Sequence, residues 1–266
     1  MSIKLDGTRS SDWWFIDHTG KKWTLYGGAD QGDRGATLES ISGVTSSLDR
    51  EMAATITQIG EDIAGEAIPA ITPTLAVNIH ERQVPGAWAN WQTAISSRKD
   101  GWLYYSARDD YYRSLRIRRA GGASDPEADP LQIGMIQIQE PLIALDGCWL
   151  TKPKAYTAGT HNITIAGDLP ATAEVTYDRA GELIIETGGR TWQGTLPSPG
   201  AVSATTLLEP EHRMKTLVGG QPLPALWSTF RNQWNPIALL PDMEVKFVVP
   251  TGATVTVQER YLAPWH

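Results

Sequence analysis

Apolar and polar residues alternate along most of this chain, and a period of two is the side-chain period of a β-strand. Trp14, Ile16 and then Trp23, Leu25 flank His18-Thr-Gly-Lys21. That pattern predicts a β-hairpin with a turn glycine. Residues 37–44 and 51–58 predict further strands, the second with Met52, Ala54 and Ile56 on one face. Thr74–His80 alternates in the same way. Trp102–Tyr105 and Tyr111–Arg119 predict a second hairpin, with Asp109 and Asp110 near its tip. Leu131–Glu140 is the clearest strand by this criterion. Leu131, Ile133 and Met135 share one side before the phase shifts to Ile136 and Ile138, which predicts a bulge or a strand buried on both faces. The best helical spacing lies in Ala87–Ser97, where Trp88, Trp91, Ala94 and Ile95 form one apolar stripe. Residues 27–35 and 59–70, rich in Gly, Ala and acidic side chains, read as exposed loops.

The second half predicts strands at His161–Ile165, Ala173–Tyr177, Glu182–Thr187, Arg190–Thr195, Glu244–Val249 and Ala253–Tyr261. Short strands separated by Gly/Pro/Asp turns point to a β-sandwich. Leu223, Leu226, Trp227, Phe230 and Trp234 have helical spacing, but Pro222 and Pro224 limit any helix there to a short one. A buried aromatic cluster beneath a loop is the expectation for this stretch. The fold class expected is therefore mainly β. It comprises two domains, 1–140 with one helix and 141–266 as a β-sandwich, after a Gly/Pro/Asp linker at 121–130.

Composition narrows the function classes. The chain has 266 residues and a formal net charge of −7, and neither half is basic. Nucleic acid is thus not expected as the main partner. Cys148 is the single cysteine, which excludes an intrachain disulfide and a cysteine-cluster metal site. No apolar run has the length of a membrane span, and no apolar h-region follows Met1, so neither membrane insertion nor a secretory signal is expected. Tryptophan is the oddity, at 11 against 3 phenylalanines. Its large ring with one N–H donor favours sheets and contact surfaces.

No residue reads as catalytic, metal-binding or cofactor-binding. The loop 27–35 lacks the ending of a phosphate-binding loop, and no G-x-S-x-G elbow occurs. None of the five histidines sits in a recognised metal spacing; His80-Glu81 ends a strand, and Glu209-Pro-Glu211-His212 reads as a solvated turn. Asp30/Asp33 or Asp109/Asp110 would serve a glycosidase only if two carboxylates faced one cleft from separate elements. Cys148, between Gly147 and Trp149, reads as a packed small hydrophobe. Arg113, Arg116, Arg118 and Arg119 form the densest basic cluster, with Arg116 and Arg118 on one strand face. That face is open to three readings: solvated, a phosphate site, or an interface pairing with carboxylates of another subunit. Adjacent Trp13 and Trp14 must point to opposite faces of their strand, so one of them is expected to meet solvent or a neighbouring subunit.

Several segments carry a family resemblance. Pro141-Leu-Ile-Ala-Leu-Asp-Gly-Cys-Trp149 resembles the "apolar strand, A-x-D-P-x-W" boundary of distal tail and minor tail proteins of long-tailed phages, with Gly147 where that pattern usually has proline. Ile163-Thr-Ile-Ala-Gly-Asp-Leu-Pro-Ala171 resembles the family's "strand, N/A-G-x-x-P-A" step, and Leu208-Glu-Pro-Glu-His-Arg213 its "D-P-x-x-R" turn. Trp234-Asn-Pro-Ile-Ala-Leu-Leu-Pro-Asp242, followed by Val245–Val249 and Val255–Tyr261, resembles the closing "W-x-x-L-x-P-G, strand, strand" segment, with Asp242 at the usual glycine.

The resemblance spans nearly the whole chain. It implies a tail-tube-like β domain followed by a galectin-like β-sandwich. It implies a homo-hexameric ring joining the tail tube to the tail-tip hub, beside tape-measure protein. No enzymatic activity or cofactor goes with these motifs. Localisation would be the virion tail tip, and the host cytoplasm during assembly. An acidic lumen would let DNA pass without sticking. Trp13, Trp14, Arg34, Arg116 and Arg118 are the interface candidates, with the loops at 27–35 and 59–70. The alternative is a carbohydrate-binding sandwich that docks host glycans through surface rings such as Trp192 or Trp227.

Overall fold

The computed structural model describes residues 11–53, 62–108, 111–122, 125–126, 128–200, 202–208, 215–231 and 238–265. It is mainly β, and the chain forms two compact units that divide after Leu150, with the stretch beyond Tyr261 returning to the first.

The first unit holds β1 (Asp12–Ile16), β2 (Lys22–Tyr26), β3 (Ala36–Ser42), β4 (Asp49–Ala53), β5 (Asp62–Ala67), β6 (Thr74–Ile79), α1 (Ala87–Ala94), β7 (Gly101–Arg108), β8 (Tyr111–Arg119), α2 (Pro130–Ile133) and β9 (Ile136–Ile143). β10 (Trp149–Thr151) stands at the division. Antiparallel pairing gives the order β2-β1-β7-β8 in one sheet and β3-β6-β9 in another. A short pairing of Arg118 with Ile143 and Arg119 with Leu142 joins them. Trp13, Phe15, Trp23, Leu103, Leu115 and Ile117 face inward from the first sheet, and Leu75, Val77, Ile79, Ile136 and Ile138 are buried on the second. These are the alternate positions that the period of two predicts. α1 closes the core through Trp91, which is fully buried 5.3 Å from Trp23 and 6.3 Å from Phe15 in edge-on contacts. Glu81 anchors the start of this helix by accepting from Gly86 N at 2.5 Å and Trp88 N at 2.8 Å. A carboxylate there satisfies donors that helix geometry leaves open and complements the helix dipole.

Three expectations need correction. Residues 131–135 are not strand. Asp129 caps α2 by accepting from Leu131 N, Pro130 occupies its first turn, and Gly134 ends it in a left-handed conformation. The strand begins at Ile136, so the phase shift marks a change of element, and Leu131, Ile133 and Met135 are exposed. The loop expected at 59–70 contains β5, which pairs with β4 as a separate two-stranded sheet. In the second unit, residues 224–231 form a helix instead of a loop over a cluster, because Pro224 starts it at a position that needs no N–H. Asp109-Asp110, the turn at 209–212, Trp234 and the strand positions Ala54 and Ile56 lie outside the described residues.

The second unit holds β11 (Lys154–Thr164), β12 (Leu169–Tyr177), β13 (Gly181–Thr187), β14 (Arg190–Leu196), β15 (Ala204–Leu207), β16 (Thr216–Val218), β17 (Gln221–Pro222), α3 (Pro224–Arg231) and β18 (Glu244–Tyr261). The two strands expected at 244–249 and 253–261 are one long strand, β18. Its first part pairs with β13 on one side and β11 on the other; its second part pairs with β12 and the start of β11. A long strand whose two parts pair with different partners is one way to link the strands of a sandwich. Val245, Phe247, Val249, Val255 and Val257 of β18 meet Val175, Tyr177, Leu183, Ile185 and Trp192 in one core.

Two departures from the family pattern acquire a physical basis. Gly147 has φ of 63°, and a Cβ there would lie 2.3 Å from the Pro69 carbonyl oxygen. Proline, fixed near −65°, cannot take that conformation. Asp242 has φ of 59°, the sole non-glycine positive φ among the described residues, so the position where the resembled pattern has glycine is left-handed here. An Asp in that region carries backbone strain that glycine lacks. Asp242→Gly is therefore expected to stabilise the protein by a few tenths to about 1 kcal/mol. Calorimetry checks this as a rise in Tm of about 2 °C; an unchanged or lower Tm would contradict the strain.

Candidate assembly surfaces

Strand parity decides what the sheet β2-β1-β7-β8 shows outward. Trp14 pairs in register with Tyr104 and Thr24, and Tyr104 with Ser114. Trp14 and Tyr104 stack with centroids 5.1 Å apart and planes 4° from parallel. Tyr112 meets both edge-on, at 6.1 Å and 5.4 Å, and the Lys22 ammonium sits 5.2 Å from the Trp14 centroid. Trp102 extends the same face between Ile16 and Arg116. These rings are half-buried, so each leaves part of its apolar surface to solvent. Burial, and then the adjacent Tyr112, raise the Tyr104 phenol above its ordinary pKa. A contiguous set of partly exposed aromatic rings on a rigid sheet is the kind of surface that anchors a protein contact.

The neighbouring tryptophan behaves differently. Trp13 is 6% exposed and packs on Tyr105 at 4.8 Å and Trp149 at 6.1 Å. Of the adjacent pair, Trp14 is the outward ring.

The arginine cluster separates by the same parity. Arg116 and Arg118 lie outward, each paired within the chain. Arg116 Nε donates to Asp146 at 2.8 Å, with a second bond from Nη2. Arg118 grips Asp100 through Nε and, at 3.2 Å, through Nη2, and Arg116 Nη1 stands 3.8 Å from Asp100. The hydrogen bond from Arg118 holds the Asp100 carboxyl below its ordinary pKa, while the one to Asp146 raises Arg116. Arg113 and Arg119 instead point inward with Leu115 and Ile117. Arg113 Nη1 donates to the Ala263 carbonyl at 2.5 Å, and Arg119 is clamped by buried Glu140. The period of two was a signal for their inward parity. Their partners, far along the chain, were not visible.

Arg34 is exposed at the end of the glycine-rich loop. Its Nε donates to the Lys22 carbonyl at 2.6 Å, and its guanidinium lies 5.9 Å from the Trp23 ring. With Asp17, His18, Lys21 and Asn90 it borders a depression of about 280 Å³. Burial tends to raise Asp17, but donors from Thr19, Lys21 and Trp23 outweigh it and hold the carboxyl below its ordinary pKa. The structure thus brings Trp14 beside Lys22 and links Arg116 to Arg118 through Asp100, while Trp13 sits in the core.

Among the described residues no group of three or more His, Cys, Asp or Glu side chains could hold a metal ion, and no helix is long and apolar enough to cross a membrane. His80 bonds Thr37 at 2.9 Å, and Cys148 is buried. Trp192 is 2% exposed in the second unit's core and cannot stack on a sugar. That removes one ring from the glycan reading; the Trp227 side chain lies outside the described residues.

No protein-family model matches the sequence, and no curated protein does. Solved structures do match. The SPP1 Dit protein, a paradigm of the hub adsorption apparatus in phages infecting Gram-positive hosts, aligns with 94% of this chain and 99% of its own. The TM-score is 0.59 at 11% identity. This chain has the Dit fold. A chain of the phage P2 baseplate in its activated conformation with calcium aligns over 94% of this chain and 98% of its own, with TM-score 0.57 at 7% identity. The P2 baseplate in its activated conformation with strontium gives a TM-score of 0.52 at 7% identity. The Dit fold extends across both units, since each alignment covers nearly the whole of both chains.

Proposed function

We propose that this chain is a structural distal tail protein of a long-tailed phage, assembling into a closed, hexameric ring between the tail tube and the tail-tip hub. The observation that carries the reading is the end-to-end correspondence with SPP1 Dit, 99% of whose length is matched. A ring subunit needs a heterologous contact that closes by rotation. The face made by Trp14, Tyr104 and Tyr112 supplies apolar anchors for it, and Lys22 supplies charge beside Trp14, while exposed Arg34, over Trp23 and beside the depression at α1, is a separate contact candidate. The hairpin β4–β5, paired with no other strand among the described residues, and the loop at 27–35 offer contacts to a neighbouring subunit or the next ring. Trp13, being core, contributes by supporting the sheet from behind.

The subunit has no enzymatic role in this reading. Its first domain is tail-tube-like and its second galectin-like. Tail-tube, hub and tape-measure proteins are its partners, at the virion tail tip after assembly in the host cytoplasm. The charge of −7, repeated around a ring, would keep DNA from adhering as it passes. The arginine strand does not oppose this, because Arg116 and Arg118 are neutralised by Asp146 and Asp100 and Arg113 and Arg119 are buried.

Native mass spectrometry of the full chain, alone and with tail-tube protein, is expected to show a closed ring of about six copies. Combining Trp14→Ala with Tyr104→Ala is expected to reduce the ring fraction by about tenfold or more, with folding retained. A monomer under both conditions, or immunogold label on the virion away from the tail tip, would overturn the assignment.

A further inference from the structure

The outer face of one layer of the second unit carries a polar row that the assembly reading does not use. Thr191 of β14 lies opposite Glu186 of β13, Glu186 opposite Lys246 of β18, and Lys246 opposite Asn162 of β11. Four neighbouring strands thus place hydroxyl, carboxylate, ammonium and amide groups in one line. Lys246 Nζ lies 3.2 Å from both Glu186 oxygens. Beside this line is a groove of about 810 Å³, bordered also by the Gly188-Gly189 turn, Arg190, Thr164 and Glu244. Arg190 and Glu244 have no ion-pair partner among the described residues, and Ile163 adds a patch of apolar wall.

We infer that this groove is a binding site for a neutral saccharide. Its volume suits a ligand of a few sugar rings. The ionised groups balance, Glu186 and Glu244 against Arg190 and Lys246, so the groove has no net charge to select an ion. It offers both donors and acceptors, and Asn162, Arg190 and the two glutamates are planar groups that can each engage a pair of neighbouring hydroxyls. A sugar hydroxyl is itself donor and acceptor and can enter such an array without leaving a member unpaired. The strand ladder holds the row rigid, so little ordering cost falls on binding. No described aromatic ring borders the groove. A single site then relies on hydrogen bonds and is weak, with Kd of roughly 1 mM, and repetition in an assembly would raise the avidity. The inference stands on the groove alone and does not require the tail assignment.

The test is an array of immobilised neutral oligosaccharides, built from the hexoses, deoxyhexoses and N-acetylhexosamines of bacterial envelopes and printed beside sulfated and phosphorylated counterparts, probed with the full chain. Binding to at least one glycan is expected. Asn162→Ala and Arg190→Ala should each lower the signal about tenfold, while Thr160→Ala, outside the groove on the same strand, should leave it unchanged. NMR titration with the best soluble oligosaccharide should reproduce that order, and unchanged melting temperatures should show that the variants fold. No bound neutral glycan, binding that survives both groove substitutions, or binding confined to sulfated or phosphorylated chains would overturn it. A ring that forms while the groove stays empty would sink this inference and leave the tail assignment standing.

Discussion

Arg119→Ala is expected to lower the unfolding free energy of the first unit by about 3–5 kcal/mol. Its guanidinium donates to Glu140 through Nε at 2.6 Å and Nη2 at 3.2 Å, and the two side chains are 6% and 0% exposed. Trp91 Nε1 donates to the same carboxylate at 3.2 Å, tying the pair to α1. Removing the arginine strands a charged carboxylate with one remaining side-chain donor in the core. A buried charge that loses its partner costs far more than an exposed pair, which is worth 1 kcal/mol or less in most cases. The contrast is Arg119→Met combined with Glu140→Leu. Removing both charges leaves nothing unpaired except the Trp91 N–H, so the double variant should be more stable than Arg119→Ala. Urea denaturation followed by tryptophan fluorescence measures both. A loss below about 1 kcal/mol for Arg119→Ala would mean that the pair is solvated.

Gly147→Pro is expected to cost about 3 kcal/mol or more, although the resemblance places proline at this position. The family residue is incompatible with φ of 63°, and its ring would enter the space held by the Pro69 carbonyl. The Gly147 N–H, which donates to Ala144 O at 3.2 Å, would also be lost. The Gly147 carbonyl accepts from Ser46 Oγ, and nearby Trp149 donates to Val44 O at 2.7 Å, so displacement of this turn would disturb two long-range anchors of the first unit. Gly147→Ala should lie between wild type and proline, because it keeps the N–H but not the freedom of φ. Thermal unfolding of the three proteins gives the order directly. A proline variant as stable as wild type would show that the turn adopts the family geometry in solution.

Much of the strand inventory was legible because alternation is a local property. β8, β12, β13 and β14 fall at or near the expected places, and their buried positions are those with the right parity. Residues 131–135 misled because exposed Leu131, Ile133 and Met135 mimic a strand face. The true signal was in the chemistry of the ends: Asp129 before Pro130, and Gly134 after Ile133, are a helix cap, a helix start and a helix stop. At 223–230 Pro222 and Pro224 limit a helix to a short one by local sterics, and Pro224 itself initiates α3. The assembly surface was half legible. Trp13 and Trp14 had to face opposite ways, yet nothing local told which way was out. Trp149, 136 positions from Trp13 along the chain, covers the inner ring.

By itself the sequence determined the mainly β class, the outline of most strands, and the inner α1 stripe through Trp91. Backbone sterics, capping and side-chain parity act within a few residues, so they can be read from neighbours. Only the tertiary structure decided that Arg113 and Arg119 are core residues, that Arg116 and Arg118 find their carboxylates in their own chain, and that Asn162, Glu186 and Lys246 stand in one row. Each of these depends on a partner well outside the local window, from 18 positions away for Arg118 and Asp100 to 150 for Arg113 and Ala263. Burial of a charge is decided by that partner, because the desolvation penalty is offset only when the opposite group arrives with good geometry.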